Sequence, residues 1–312
     1  MNTKLKEQIK NIIEFFCSIF IYHIRVKRKL EKILMIIMPN IEVIDIGASY
    51  FPHNKWKLFM KSKKINWYAI DPNEKNINYT DDWIWESKIK KLPYAVDSKT
   101  GESDFYVTNV DSGSSMLKPS FNENISHRSD IDYFLPFQKI KIKSTDINDI
   151  INNEITSSNT PIIIKLDTQG TEMRIIENIK KDYLKNIMCF ELESNLHAEP
   201  AYENSPHISK VFKFFQDNEF ELMDIEVLRN QNKKTNDKIK SKNIPNECDL
   251  VFIKKSKKIR EYSVEFITSC IAVYFCYGLY EEILFLVEYT LKNKKIDKNL
   301  EQYLNKILAV LN

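Results

Sequence analysis

Glycine is scarce in this chain, with five in 312 residues. Neither a G-x-G-x-x-G turn nor a G-x-x-x-x-G-K-[ST] loop occurs, so the backbone cradles that hold pyrophosphate or triphosphate at a helix N-terminus are missing. Five cysteines (Cys17, Cys189, Cys248, Cys270, Cys276) form no C-x-x-C pair and no Cys/His set at zinc spacing. An odd count without a framework favours free thiols and a cytoplasmic location. His53, His127 and His207 are too scattered for a metal triad, and no metal is expected. The N-terminal apolar stretch, interrupted by Glu14 and His23, is too short to cross a bilayer and has no small-residue cleavage site. Nor is there an excess of one charge: 46 basic residues face 43 acidic ones, so nothing calls for a nucleic-acid partner.

What is present begins with two stretches, Ile41-Glu-Val-Ile-Asp-Ile-Gly-Ala-Ser49 and Pro161-Ile-Ile-Ile-Lys-Leu-Asp-Thr-Gln-Gly-Thr-Glu172. Each is a β-branched run ending in an acid and a glycine, the pattern of a strand buried on both faces. In open α/β sheets the carboxyl ends of such strands border the ligand crevice. Asp45–Gly47 and Asp167–Gly170 fall there. Asp71, at the end of a further run (Trp67-Tyr-Ala-Ile-Asp71-Pro72), is suited to accept two hydrogen bonds from ribose hydroxyls. Gly47 is expected to let the amino-acid end of a ligand approach the backbone, and Asp45 to accept from an ammonium.

Along the chain, residues 4–38 read as helix, trailed by Arg25, Lys27, Arg28 and Lys29. That helix either packs on protein or lies on an anionic membrane surface. Strands are expected at 41–46, 66–70, 92–96, 161–166 and 187–192, with extra strands at 103–108 and 138–143. The long segment 109–136 between them suits a functional loop or a mobile lid. A helix over 208–218 precedes strands 220–227 and 248–254, which form a terminal antiparallel hairpin joined by a polar linker from Arg229 to Asn246. Residues 261–312 read as about three helices broken near Gly278 and Lys292–Lys295, with Val264–Phe275 apolar enough to need burial, in the main domain or a homodimer. Three parts result: an N-terminal extension over 1–40, a catalytic-type domain over 41–256 and a C-terminal extension over 257–312.

Several blocks in order give the chain a family likeness: Val43-Ile-Asp-Ile-Gly-Ala48, Ala69-Ile-Asp-Pro-Asn73, Ala95-Val-Asp-Ser-Lys-Thr-Gly-Glu102, Gly113-Ser-Ser-Met116, Ser144-Thr-Asp-Ile-Asn148, Ile164-Lys-Leu-Asp-Thr-Gln-Gly-Thr-Glu172, Glu191-Leu-Glu193, Ala201-Tyr-Glu203 and Asp249-Leu-Val251. From Ile41 to Lys254 the sequence resembles the FkbM family of S-adenosylmethionine-dependent methyltransferases. The resemblance implies a class I methyltransferase-like α/β fold: a Rossmann-like, seven-stranded, mostly parallel sheet with one antiparallel strand. It also implies that Asp45, Gly47, Ala48 and Ser49 hold the methionine part of the cofactor, Asp71 and Pro72 the ribose, and Val96 and Asp97 the adenine. Ser114 and Ser115 would close over it, and Asp167 would face the sulfonium. The chain departs from the family where Ser49-Tyr50-Phe51 replaces a second glycine and where Gln169 stands for a glutamate.

The activity so implied is O-methylation of a sugar hydroxyl in a bacterial-type glycan or glycolipid precursor. Asp167, Glu193 and His197 are the candidates for the base that removes the hydroxyl proton. Glu172 reads as a first-turn helix residue, outside the chemistry. A non-catalytic scaffold or regulatory subunit on a degenerate methyltransferase fold is the competing reading, motivated by the altered first turn and the helical extensions.

Overall fold

The structure is a computed structural model that describes residues 22–49, 54–78, 85–121, 131–155, 159–197, 200–230 and 244–312. The chain divides into two compact units. One is Asn40–Glu261; the other joins the described residues up to Pro39 with Tyr262–Asn312.

The first unit is built on a seven-stranded sheet: β1 (Ile41–Ile46), β2 (Ile65–Ile70), β3 (Lys88–Leu92), β7 (Ile162–Leu166), β8 (Ile187–Asn195), β9 (Phe220–Asn230) and β10 (Ile244–Lys254). Their spatial order is β3-β2-β1-β7-β8-β10-β9, with β10 antiparallel to both its neighbours. This is the expected class I arrangement. β1 is buried at all six positions, its two acids Glu42 and Asp45 included. The order of strands puts β1 between β2 and β7, so the two stretches that open the sequence argument lie side by side, Ile46 opposite Leu166.

Four details depart from the sequence expectations. The run at 92–96 is two strands: β3 ends at Leu92, and β4 (Ala95–Asp97) joins another sheet. Pro93 sits at the break, where it has no N–H to give a ladder. The extra strands are β5 (Gly101–Val107) and β6 (Gln138–Asp146), longer than expected and forming with β4 a second sheet in the order β4-β6-β5. The hairpin is also longer, with β9 and β10 paired out to Asn230 and Ile244; the rest of the polar linker lies outside the described residues. Finally, the described parts of the 109–136 segment are tied down rather than loose. Tyr106 and Ser115 exchange backbone hydrogen bonds, and Phe134 packs with Ala201 and Tyr202.

The second unit holds helices 22–37, Val264–Cys276, Tyr280–Asn293 and Lys298–Leu311. Ser263 caps the second of these by accepting from Phe266 N–H, and Asp297 caps the last by accepting from Leu300 N–H. Phe266 to Cys276 are all buried, as their apolarity requires. Arg25, Lys27, Arg28 and Lys29 are exposed. The apolar positions expected between Leu5 and Phe20 lie outside the described residues. Among the described helices none is long and apolar enough to cross a membrane.

Candidate active site

At the carboxyl ends of β1, β2 and β7 lies a crevice of about 410 Å³. Of the residues expected to hold a cofactor, Asp45, Gly47, Ala48, Ser49, Asp71, Pro72, Val96 and Ser114 line it, and so does Asp167.

Gly47 is required here by protein. Its φ is +80°, and a Cβ on it would sit 1.8 Å from the Asp167 carbonyl oxygen. The turn is held by Asp167 N–H donating to the Ile46 carbonyl (2.9 Å) and Gly47 N–H to the Ile70 carbonyl (2.8 Å). The glycine therefore lets the end of β7 close on the end of β1, a different reason from the ligand approach expected from sequence.

Asp45 is likewise engaged by protein. Lys165 Nζ donates to its Oδ1 at 2.9 Å and Trp67 Nε1 to its Oδ2 at 3.2 Å. Burial alone would lower the Lys165 ammonium; Asp45, with Glu191 nearby, more than offsets this and raises it. The first motif thus presents an ion pair to the crevice rather than a lone carboxylate. Lys165 had a signal in the sequence, being a cation inside an otherwise apolar strand. Replacing it with Met strands the Asp45 carboxylate, and a loss of about 3 kcal/mol is expected in urea unfolding. Part of that loss should return in the Asp45→Asn, Lys165→Met double variant; no recovery would mean the pair is not coupled.

Two polar atoms in the wall have no protein partner for their full capacity. Asp71 accepts from Asn73 N–H (2.7 Å) and Asn76 Nδ2 (3.2 Å), both at Oδ1, so Oδ2 has no protein donor among the described residues. Ser49 Oγ is buried without a hydrogen-bond partner among the described residues. These atoms fit the ribose and amino-acid ends of S-adenosylmethionine. Burial pushes the Asp71 carboxyl up to about 6. The rest of the wall is apolar: Val96 comes from β4, while Phe105, Val107, Ile140 and Ile142 come from β5 and β6. These last four went unassigned in the sequence, although the alternation Ile140, Ile142 within Gln138–Lys143 marks one face of a strand.

Two expected cofactor residues lie elsewhere. Asp97 does not line the crevice; it pairs with Arg174 Nε at 2.9 Å and accepts from Ser103 Oγ at 3.0 Å. Ser115 donates from Oγ to the Gln169 carbonyl (2.8 Å) and so pins the loop to the end of β7. Val96 and Asp97 are neighbours on β4 and alternate faces, which is why Val96 faces the crevice and Asp97 does not.

The candidate bases separate too. Gln169, with a left-handed φ of +56°, stretches its amide between them: Nε2 donates to Asp167 Oδ1 (2.8 Å) and Glu193 Oε2 (3.0 Å). Tyr202 Oη donates to the Gln169 Oε1 (2.9 Å) and the Gly113 carbonyl (2.6 Å). A glutamate at 169 would put a third carboxylate between two; glutamine replaces that repulsion with two donated hydrogen bonds. Asp167 is open to water within the crevice, yet protein surrounds it closely enough that desolvation raises its carboxyl. His197 lines no part of the crevice. Its Nε2 bonds Asn246 Oδ1 at 2.8 Å, which makes it a clasp between β8 and β10. Glu172 accepts from Thr168 N–H (2.8 Å), Thr168 Oγ1 (2.9 Å) and Gly170 N–H (3.2 Å), closing the turn after β7.

Comparison with known proteins finds that residues 45–222 match the family described as methyltransferase FkbM domain. No curated protein sequence matches. Among solved structures, TrmK of M. capricolum in complex with S-adenosyl-homocysteine is 10% identical, with 90% of this chain and 96% of that one covered and a TM-score of 0.31. An rRNA methylase from Streptococcus thermophilus is 8% identical over 72% and 94% of the two chains, with a TM-score of 0.33. Precorrin-6y C5,15-methyltransferase from Geobacter metallireducens is 9% identical over 73% and 87%, at 0.28.

Proposed function

The chain belongs to the FkbM methyltransferase family, whose cofactor is S-adenosylmethionine, and from that premise we propose that it methylates a hydroxyl of a sugar in a glycan or glycolipid precursor. The observation that supports the reaction type is Asp167, a carboxylate open to the crevice beside the cofactor-type wall of Gly47, Ala48 and Asp71. When bound, S-adenosylmethionine supplies an electrophilic methyl group. The chain's part is to align the acceptor and take its proton. With the cofactor held at Asp71, Ala48 and Ser49, the Asp167 carboxylate would take the hydroxyl proton of an acceptor seated beside it. Gln169 orients that carboxylate and keeps it apart from Glu193. Asp71 holds the ribose through Oδ2, and Ser49 with Ala48 the amino-acid end.

Isothermal titration with S-adenosylmethionine tests the site. Asp71→Ala is expected to weaken binding by about 10- to 100-fold, the loss of charge-assisted hydrogen bonds to two hydroxyls. Undiminished affinity would remove Asp71 from the site. The same carboxylate gives a pH dependence. Its folded pKa, about 6, lies above the ordinary 3.8. The folded chain therefore holds an extra proton between these values, and stability falls as pH rises through that window. Cofactor affinity moves the other way, rising as Asp71 ionises through about pH 6, because only the carboxylate accepts from both hydroxyls. For the acceptor, mass spectrometry of surface glycans from a strain lacking the gene should show the loss of one sugar methyl group; an unchanged methylation pattern would count against it.

A further inference from the structure

The second unit presents a surface that the crevice chemistry does not use. In helix 22–37, at 3.6 residues per turn, Tyr22, Arg25, Arg28, Lys29, Lys32 and Ile36 fall within about 120° of arc. All six are exposed, Tyr22 at 62% and Ile36 at 50%. Leu30 and Leu34 lie on the far side and are buried. The helix's one acid, Glu31, falls outside the arc. The four cations sit three and four positions apart, the spacing at which like charges on a helix repel. Surface lysines elsewhere face an acid one turn away, Lys185 with Asp182 and Lys213 with Asp217. Among the described residues none of these four cations has such a partner. The folded chain therefore bears a repulsion that an anion from outside relieves.

A bilayer with anionic headgroups fits this face in both charge and apolarity. Its surface potential draws clustered Lys and Arg, by about fivefold in affinity for each. Tyrosine favours the headgroup level, where its ring meets apolar matter and its hydroxyl stays wet. An isoleucine standing out among cations gains nothing from phosphates alone but is covered at the acyl boundary, and attachment by charge is strengthened by such a second signal. A nucleic-acid backbone would use the cations and leave Ile36 in water. From Tyr22 to Ile36 the face runs about 21 Å along the helix axis, and no described helix is long and apolar enough to span, so the contact lies along the bilayer. We infer that helix 22–37 docks the protein on an anionic membrane surface, with Arg25, Arg28, Lys29 and Lys32 against the headgroups and Tyr22 and Ile36 between them. Docking puts the enzyme in the plane where a lipid-linked sugar is carried; that consequence rests on the sugar reading above, and the docking does not.

Co-sedimentation of the full chain tests this with two sets of vesicles, one of phosphatidylcholine and one of equal parts phosphatidylcholine and phosphatidylglycerol. Binding should be at least about tenfold stronger to the anionic set. It should be lost as salt rises from about 0.1 M to about 1 M, which shortens the screening length from about 10 Å to about 3 Å. Arg25→Gln, Arg28→Gln, Lys29→Gln and Lys32→Gln together should weaken it by about 100-fold or more and, all four being exposed, leave the urea midpoint unchanged. Should that variant unfold, the four single changes carry the test, each weakening binding by about threefold to fivefold. Ile36→Ser should weaken it by about fivefold and leave its salt dependence as in the parent. Sedimentation with neither set, equal binding to both, or parent-like binding by the charge variants would overturn the proposal. So would binding of labelled transfer RNA at a salt concentration where anionic vesicles leave the protein in solution, which would make the partner a nucleic acid. The vesicles hold no sugar lipid, so failure of the sugar reading leaves this outcome untouched.

Discussion

Gly47→Ala is expected to cost about 4 kcal/mol in urea unfolding and to abolish cofactor binding. Two costs add. A Cβ at φ +80° is strained by about 1–2 kcal/mol. The clash adds about 2–3 kcal/mol, because the atom 1.8 Å away is the Asp167 backbone carbonyl, which no rotamer change can remove. Relief requires β7 to withdraw from β1, breaking the Asp167 N–H to Ile46 hydrogen bond and opening the crevice floor. Gly278→Ala separates the two parts, since its φ is a similar +71° but nothing lies within 4 Å of an added Cβ. It should lose only the backbone share. If Gly47→Ala unfolds within about 1 kcal/mol of the parent, the close approach of the two strand ends is wrong.

The second large effect falls on turnover. Asp167→Asn is nearly isosteric and keeps a carbonyl oxygen for Gln169 Nε2 to donate to, so the crevice should keep its shape and S-adenosyl-homocysteine its affinity. What it loses is the capacity to take a proton, and kcat should fall by about 10²- to 10⁴-fold. Because desolvation raises the Asp167 carboxyl, the parent's kcat should climb with pH as that group ionises, and the climb should vanish in the variant. A variant that turns over at the parent's rate would pass the role of base to Glu193. A variant that loses cofactor affinity as well would instead make Asp167 a binding residue. The readout is methyl transfer against pH, alongside calorimetry of the cofactor product.

How much of the site could be read in the sequence is best judged residue by residue. Asp45, Gly47, Asp71 and Asp167 were legible because each ends a run of apolar, β-branched residues, and a parallel sheet gathers such ends at one edge. The hairpin of β9 and β10 was legible because no helical pattern separates the two strands. Phe105 and Ile140 were half legible: both runs read as extra strands, the second by its alternation, but neither showed that the second sheet would wall the crevice. His197 stands just past a strand end, where a base was expected, but it lines no part of the crevice and its Nε2 bonds Asn246 Oδ1.

The sequence by itself determined the kind of sheet, the edge at which chemistry gathers and the acids that stand there, since these depend on periodicity and on where apolar runs stop. Tertiary structure decided what each acid touches. Lys165 pairs with Asp45 across 120 positions, Gln169 reaches Glu193 across 24, and Tyr202 closes on Gly113 across 89. Those distances along the chain are bridged only once β7 has inserted between β1 and β8. Burial then makes the consequences large, because in a desolvated site a carboxylate's protonation depends on the few groups within hydrogen-bond reach. Gly47 shows the difference most plainly: its necessity was visible in a chain with five glycines, and its reason was the carbonyl of Asp167.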